Sequence, residues 1–126
     1  MELLDGVNSQ QAAARPIAGA HSIWEIVLHI TVWADVGSRR ARGEKVQPTP
    51  EQDWPELGDT SETAWRKALE ALVQSQTSLG ELIGTLSDEQ LDATVPGKDY
   101  SIYFQLHGVV QHNLYHAGQI ALLKKV

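Results

Sequence analysis

Apolar residues recur at helical spacing along three stretches of the chain, and these set the architecture. From residue 22 to about 42, Ile23, Ile26, Val27, Ile30, Trp33 and Ala34 fall on one face, with Ser22 placed as an N-cap and Gly43 just past the basic Arg39-Arg40-Ala41-Arg42 end. A second stripe, Ala64, Trp65, Ala68, Leu69, Leu72, Val73, Leu79, Leu82, Ile83 and Leu86, follows Asp59 and Glu62, whose spacing reads as a capping box. The third long helix runs from residue 101 to about 125 without proline and ends on Lys124-Lys125, cations suited to a C-terminal dipole. No segment alternates as a strand, so the class is all-α.

The connections complete the outline. Residues 44–58 carry Pro48, Pro50 and Pro55 with little periodicity and read as a long surface crossover that packs Trp54 back onto the body. A crossover of that length lets the helices it joins run parallel. Ser87-Asp88-Glu89-Gln90 has the form of a capping box for a short helix that stops before Pro96-Gly97. His21-Ser22-Ile23-Trp24 and Tyr100-Ser101-Ile102-Tyr103 share one entry pattern, a Ser cap between aromatic-type rings. At the start, residues 1–6 read as the end of a helix, and Asn8 caps a short one that stops at Pro16. Three long helices and a stub leave one side of a four-helix bundle uncovered, which predicts a truncated first helix or a partner on that side, with a homodimer as the expected assembly.

Composition narrows the function. The 126 residues, 42% hydrophobic and 21% charged, fit a single domain over 1–126. A formal charge of −6 repels a phosphate backbone and an anionic membrane surface, so neither nucleic acid nor membrane is an expected partner. The absence of cysteine excludes disulfides and thiolate ligands, leaves metal binding to His and carboxylates, and points to the cytoplasm. The N-terminus lacks a basic region followed by a long apolar run, and no stretch approaches eighteen uninterrupted apolar residues.

The candidate chemistry lies in the histidines. His112 and His116, four apart on a helix, place their rings one turn apart on one face, within reach of a single ion at about 2.0–2.1 Å from each nitrogen. Such a pair also arises on helix surfaces without a metal, and it supplies half a site. His29, in the middle of an amphipathic helix, is the His whose setting suits a third ligand. Three inward histidines without an ion would have to satisfy six ring nitrogens another way. His107 is rotated by about 140° from His112 and about 180° from His116, so it faces elsewhere, and His21 precedes its helix as a surface or capping residue. Gln119 shares the face of His112 and His116 and is a candidate to orient a ligand ring; Glu25, one turn before His29, is a candidate second-layer acceptor or extra ligand, or else a solvated helix-start carboxylate. Trp24, Trp33 and Trp65 read as core, and Gly118 as a point of close helix approach.

The segments His21-Ser22-Ile23-Trp24-Glu25 leading to His29, and His112-Asn113-Leu114-Tyr115-His116-Ala117-Gly118-Gln119-Ile120, resemble the DinB-like superfamily of metal-binding four-helix bundles over nearly the whole chain. The resemblance implies an up-down-down-up bundle with a long crossover and a metal triad of His29, His112 and His116. It departs at the N-terminus, where the family has a full first helix. Three imidazoles imply one divalent transition metal, zinc or nickel first, with open coordination positions. By similarity to bacillithiol- and mycothiol-dependent S-transferases, the expected function is a metal-dependent transferase, or a hydrolase, in which a low-molecular-weight thiol held as thiolate attacks a small electrophile. The alternative is a metal-binding stress or accessory protein without turnover. A zincin-type protease is disfavoured because Asn113 stands where that mechanism requires a Glu.

Overall fold

The computed structural model describes residues 2–126. A 3-10 turn at Glu2–Leu4 and α1 (Ser9–Ala13) lead into α2 (Ile23–Ala41); α3 (Pro50–Asp53) lies in the crossover, followed by α4 (Glu62–Thr85), α5 (Asp88–Asp92) and α6 (Ile102–Leu123). Among the described residues there is no strand, only an isolated bridge between Thr94 and Ser101.

The central helix α2 packs against both α4 and α6. Trp24 meets Trp65 near the starts of α2 and α4, while Ala34 and Ala41 share a cluster with Leu79, so these two helices run parallel, as the crossover requires. Against α6 the order reverses: His29 faces His112 and Arg40 faces Gln105. Close approach of α2 and α6 occurs at Gly37, where an added Cβ would meet Val109 Cγ2 at 3.2 Å; Gly118, expected in that role, has open space around it.

Caps set the helix starts. The Ser22, Ser61, Ser87 and Ser101 hydroxyls each accept the backbone N–H three residues on. The cap of α4 is thus Ser61 rather than Asp59, which instead accepts the Ser61 N–H at 2.8 Å, while Glu62 accepts the Ser9 N–H at 2.8 Å. No long helix precedes α2 among the described residues: of the expected helix end at 1–6, Met1 lies outside them and the rest is the single 3-10 turn. That segment is nonetheless packed. Leu4, Val7 and Ala12 are buried in the core with Trp24, Trp65 and Leu72, and Lys124 Nζ donates to the Leu3 carbonyl at 2.6 Å.

Glu25 completes the capping box of α2 by accepting the Ser22 N–H at 2.9 Å, and it also takes the Arg15 guanidinium and faces His21 Nδ1 at 3.3 Å. Burial acts to raise its pKa, but the hydrogen bonds from Arg15, Ser22 and His21 outweigh it and hold the carboxyl at about 2. A folded pKa below the unfolded value means that the stabilisation is present above the ordinary glutamate range and is lost as pH falls through about 2. Glu25→Gln should therefore lower stability at neutral pH by about 1–3 kcal/mol. Urea titrations should show the gap between parent and variant closing as the pH is taken down towards 2; a gap independent of pH would assign the loss to geometry rather than charge.

Candidate metal centre

Position on the helices brings the three predicted ligands together. His29 on α2 and His116 on α6 are buried, each 5% exposed, and His112 is half-buried. His112 Nε2 lies 2.9 Å from His29 Nε2 and 3.0 Å from His116 Nε2, and the three ligand atoms all fall within 4.8 Å of one another. Two nitrogens bound to one ion at about 2.0–2.1 Å stand no more than about 4 Å apart, so both short spacings fit a shared ion.

The outer nitrogens define which lone pairs point inward. His29 Nδ1–H donates to the Asp53 carbonyl at 2.8 Å and lies 3.0 Å from Asp53 Oδ1; a carbonyl oxygen only accepts, so the lone pair of this ring is on Nε2. His116 Nδ1–H donates to Gln119 Oε1 at 2.6 Å, which leaves its Nε2 lone pair facing His112. Gln119 therefore does what its helical position predicted. His112 Nδ1 is buried without a hydrogen-bond partner. A proton on His112 Nε2 can satisfy only one of the two facing lone pairs, and a proton on Nδ1 leaves three lone pairs converging. Either arrangement is a conflict that a cation resolves, so the residues present fit a metal.

Electrostatics keep His29 and His112 in the form that binds. Burial pushes the His29 pKa down against the opposing pull of Asp53, and burial with the neighbouring His116 and His29 rings takes His112 down to about 4. Both are neutral at pH 7.

The surroundings contain residues that periodicity did not reveal. Asp53 and Trp54, at the end of α3, form the outer layer at His29: Trp33 Nε1–H donates to Asp53 Oδ1 at 2.6 Å, and the Trp54 ring stacks between His21 and His29, each with a centroid distance of 3.7 Å. The signal for this element is Thr49-Pro50-Glu51-Gln52, a capping box with proline in the first turn that pins a helical turn within the crossover. Trp33, read as core, lines the open cavity of about 520 Å³ beside His29 and His112. Glu25 is not brought to the triad, its oxygens being held by Arg15, His21 and Ser22. His107 is exposed, and Asn113 Nδ2 donates to Gln76 Oε1 of α4 at 3.1 Å.

No helix among the described residues is long and apolar enough to cross a membrane. No curated protein and no solved structure matches the chain significantly. A family model described as the DinB superfamily matches residues 1–120, a span that includes all three histidines. A helical bundle whose crossover runs two helices parallel and whose core buries a convergent His29, His112 and His116 cluster that could bind a metal belongs, on that match, to the DinB superfamily.

Proposed function

We propose that the protein is a cytoplasmic metal-dependent enzyme that holds one divalent transition ion, zinc or nickel, on His29, His112 and His116 and transfers a small thiol onto an electrophile. The observation that carries this reading is the set of three converging imidazole nitrogens beside an open cavity. The chemistry supplied by such an ion when bound is Lewis-acid lowering of the pKa of a thiol, which makes the reactive thiolate available at neutral pH. Asp53 and Gln119 fix the tautomers and planes of His29 and His116, and the Trp54 stack holds the His29 ring in place. Trp33 and Phe104 give the open cavity apolar walls along which the body of a substrate can lie. The sulfur–carbon bond forms as the bond to the leaving group breaks, the leaving group takes the electron pair, and the thiol proton passes to solvent. Asn113, turned to Gln76, offers no general base, which supports transfer over zincin-type hydrolysis.

Elemental analysis of protein purified without chelator tests the site. About one equivalent of a transition metal is expected in the parent and little in the His112→Ala, His116→Ala double variant. N-acetylcysteine should bind the metal-loaded parent and not His29→Ala; thiol binding unchanged by that substitution would sink the transferase reading. Metal without thiol binding would favour the accessory-protein reading, which the scarcity of acid–base groups around the triad supports: among the described residues only Asp53 brings a carboxylate to the cavity.

We further propose a homodimer through the outer face of α6. This 22-residue helix carries no Asp, Glu, Lys or Arg, and Tyr103, Val110, Leu114, Tyr115 and Leu122 are all exposed on it. Sedimentation should give twice the chain mass, and Leu114→Glu should yield monomer with metal content intact; a monomeric parent would refute the dimer.

A further inference from the structure

The cavity beside the triad has a second chemical end. His29 and His112 bound it on one side, and Arg40 and Lys98 line it as well. Trp33 stands between: Arg40 Cζ lies 5.7 Å from its ring centroid, and that ring lies 6.1 Å from the His112 ring.

Arg40 is only 3% exposed, yet every hydrogen bond it makes goes to a neutral oxygen. Nε and Nη2 donate to the Val46 carbonyl at 3.1 and 2.9 Å, Nη1 to Gln105 Oε1 at 2.9 Å, and Nη2 to Gln47 Oε1 at 3.3 Å. Among the described residues no carboxylate lies within ion-pairing distance of it, and one Nη1 hydrogen has no protein acceptor. Lys98 Nζ donates at 2.8 Å to the same Gln47 Oε1, so two cations converge on one neutral amide oxygen in a chain with an excess of acidic residues. A buried guanidinium is ordinarily paired, because desolvation of an unpaired charge is costly. The carboxylate in the cavity, Asp53, is taken up at the opposite side by Trp33 and His29.

We propose that Arg40 and Lys98 form an anion subsite that selects a small organic acid, its carboxylate on the free Nη1–H of Arg40 and the Lys98 ammonium and its apolar body along Trp33 and Phe104 towards His29 and His112. This deepens the enzyme reading by naming the substrate class, but the subsite acts through Arg40 and does not need the ion. One carboxylate oxygen can accept the free Nη1–H of Arg40 and the other the Lys98 ammonium, and a cavity of about 520 Å³ accommodates a molecule of that size.

The test uses phenylalkanoic acids of increasing chain length and their neutral amides as probes, titrated by ligand-observed NMR into zinc-loaded and chelator-treated protein. At least one acid should bind at least about tenfold more tightly than its amide in both forms. Arg40→Gln should bring the acid to the level of the amide and leave zinc binding unchanged, and Lys98→Gln should weaken the acid by about threefold. Lys98 is tied only to Gln47, so its variant carries the test by the same criterion if Arg40→Gln does not fold by circular dichroism. Equal binding of acid and amide, no saturation by any acid up to about 10 mM, or affinity unaffected by both substitutions would overturn the subsite. An acid preference seen only with zinc and insensitive to Arg40→Gln would overturn it too, by placing the carboxylate on the ion. An acid preference in a protein that fails to bind zinc would uphold the subsite while refuting the metal reading.

Discussion

Replacing His112 with leucine should leave the stability of the metal-free protein within about 1 kcal/mol of the parent and remove most of the stabilisation that metal gives it. The first effect follows from what His112 lacks. Its Nδ1 is buried without a partner, and its Nε2 faces two lone pairs while having at most one proton to offer. Leucine, of similar volume, removes the unpartnered Nδ1 but leaves the Nε2 lone pairs of both His29 and His116 without a donor, so two buried nitrogens are unpaired before and after, while the outer partners Asp53 and Gln119 stay in place. The second effect follows from mass action. Ligand at about a hundred times its dissociation constant adds about 2.7 kcal/mol to the folded state, and losing one of three ligands removes most of that gain. At roughly 3–5 °C per kcal/mol for a chain of this size, calorimetry with chelator and with zinc separates the two. The variant should melt within about 5 °C of the parent in chelator and clearly below it in zinc. A variant destabilised equally in chelator and in zinc would show that the three rings act as a hydrogen-bonded core cluster without an ion.

How the sequence carried this site depends on which side chains sit on regular elements. The three ligands were legible because helical pitch fixes their faces: His112 and His116 by spacing, His29 by its place in a buried stripe. Gln119 and Glu25 were both placed by the same rule, yet only Gln119 reaches the triad. Side chains on a helix lean towards its N-terminus, so Gln119 leans back onto His116, whereas Glu25 leans back onto Ser22 and away from His29, which lies ahead of it. Face alone was not sufficient; direction along the axis decided.

Asp53, Trp54 and the Val46–Gln47 carbonyl and amide around Arg40 were not legible in the same way. They lie in the crossover, where no periodicity links a residue to its spatial neighbours, and they reach α2 because Thr49 and Gln52 cap a single turn against it. Trp33 looked like core because it falls on the apolar stripe of α2, but the face it presents is wall rather than interior, between Asp53 and Arg40. The cap of α4 is Ser61 rather than Asp59 because two oxygen-bearing side chains two residues apart compete for the same helix start: Ser61 Oγ accepts the Ala64 N–H, and Asp59 Oδ1 accepts the Ser61 N–H.

The largest loss of stability should come from Trp65, far from the chemistry. It is 1% exposed, packs its ring against Trp24 at a centroid distance of 5.2 Å, and donates its Nε1–H to the Val7 carbonyl at 2.8 Å. Trp65→Ala should cost about 3–5 kcal/mol from the cavity alone, a large fraction of the roughly 5–15 kcal/mol that holds a domain together. Trp65→Phe keeps most of the packing and removes the hydrogen bond, at about 1–2 kcal/mol, leaving the Val7 carbonyl without its donor. The two variants also differ in where the loss is felt. Val7 lies in the segment that joins the 3-10 turn to α1, and that segment is held on the body by Trp65, Glu62 and Lys124. In Trp65→Phe the N-terminal segment should open first, seen as faster thermolysin cleavage at the Gly6–Val7 bond with a urea midpoint only modestly lowered. In Trp65→Ala cleavage and global unfolding should coincide. Equal cleavage rates in parent and Trp65→Phe would mean that Glu62 and Lys124 suffice to hold the segment, and that Trp65 acts on the core alone.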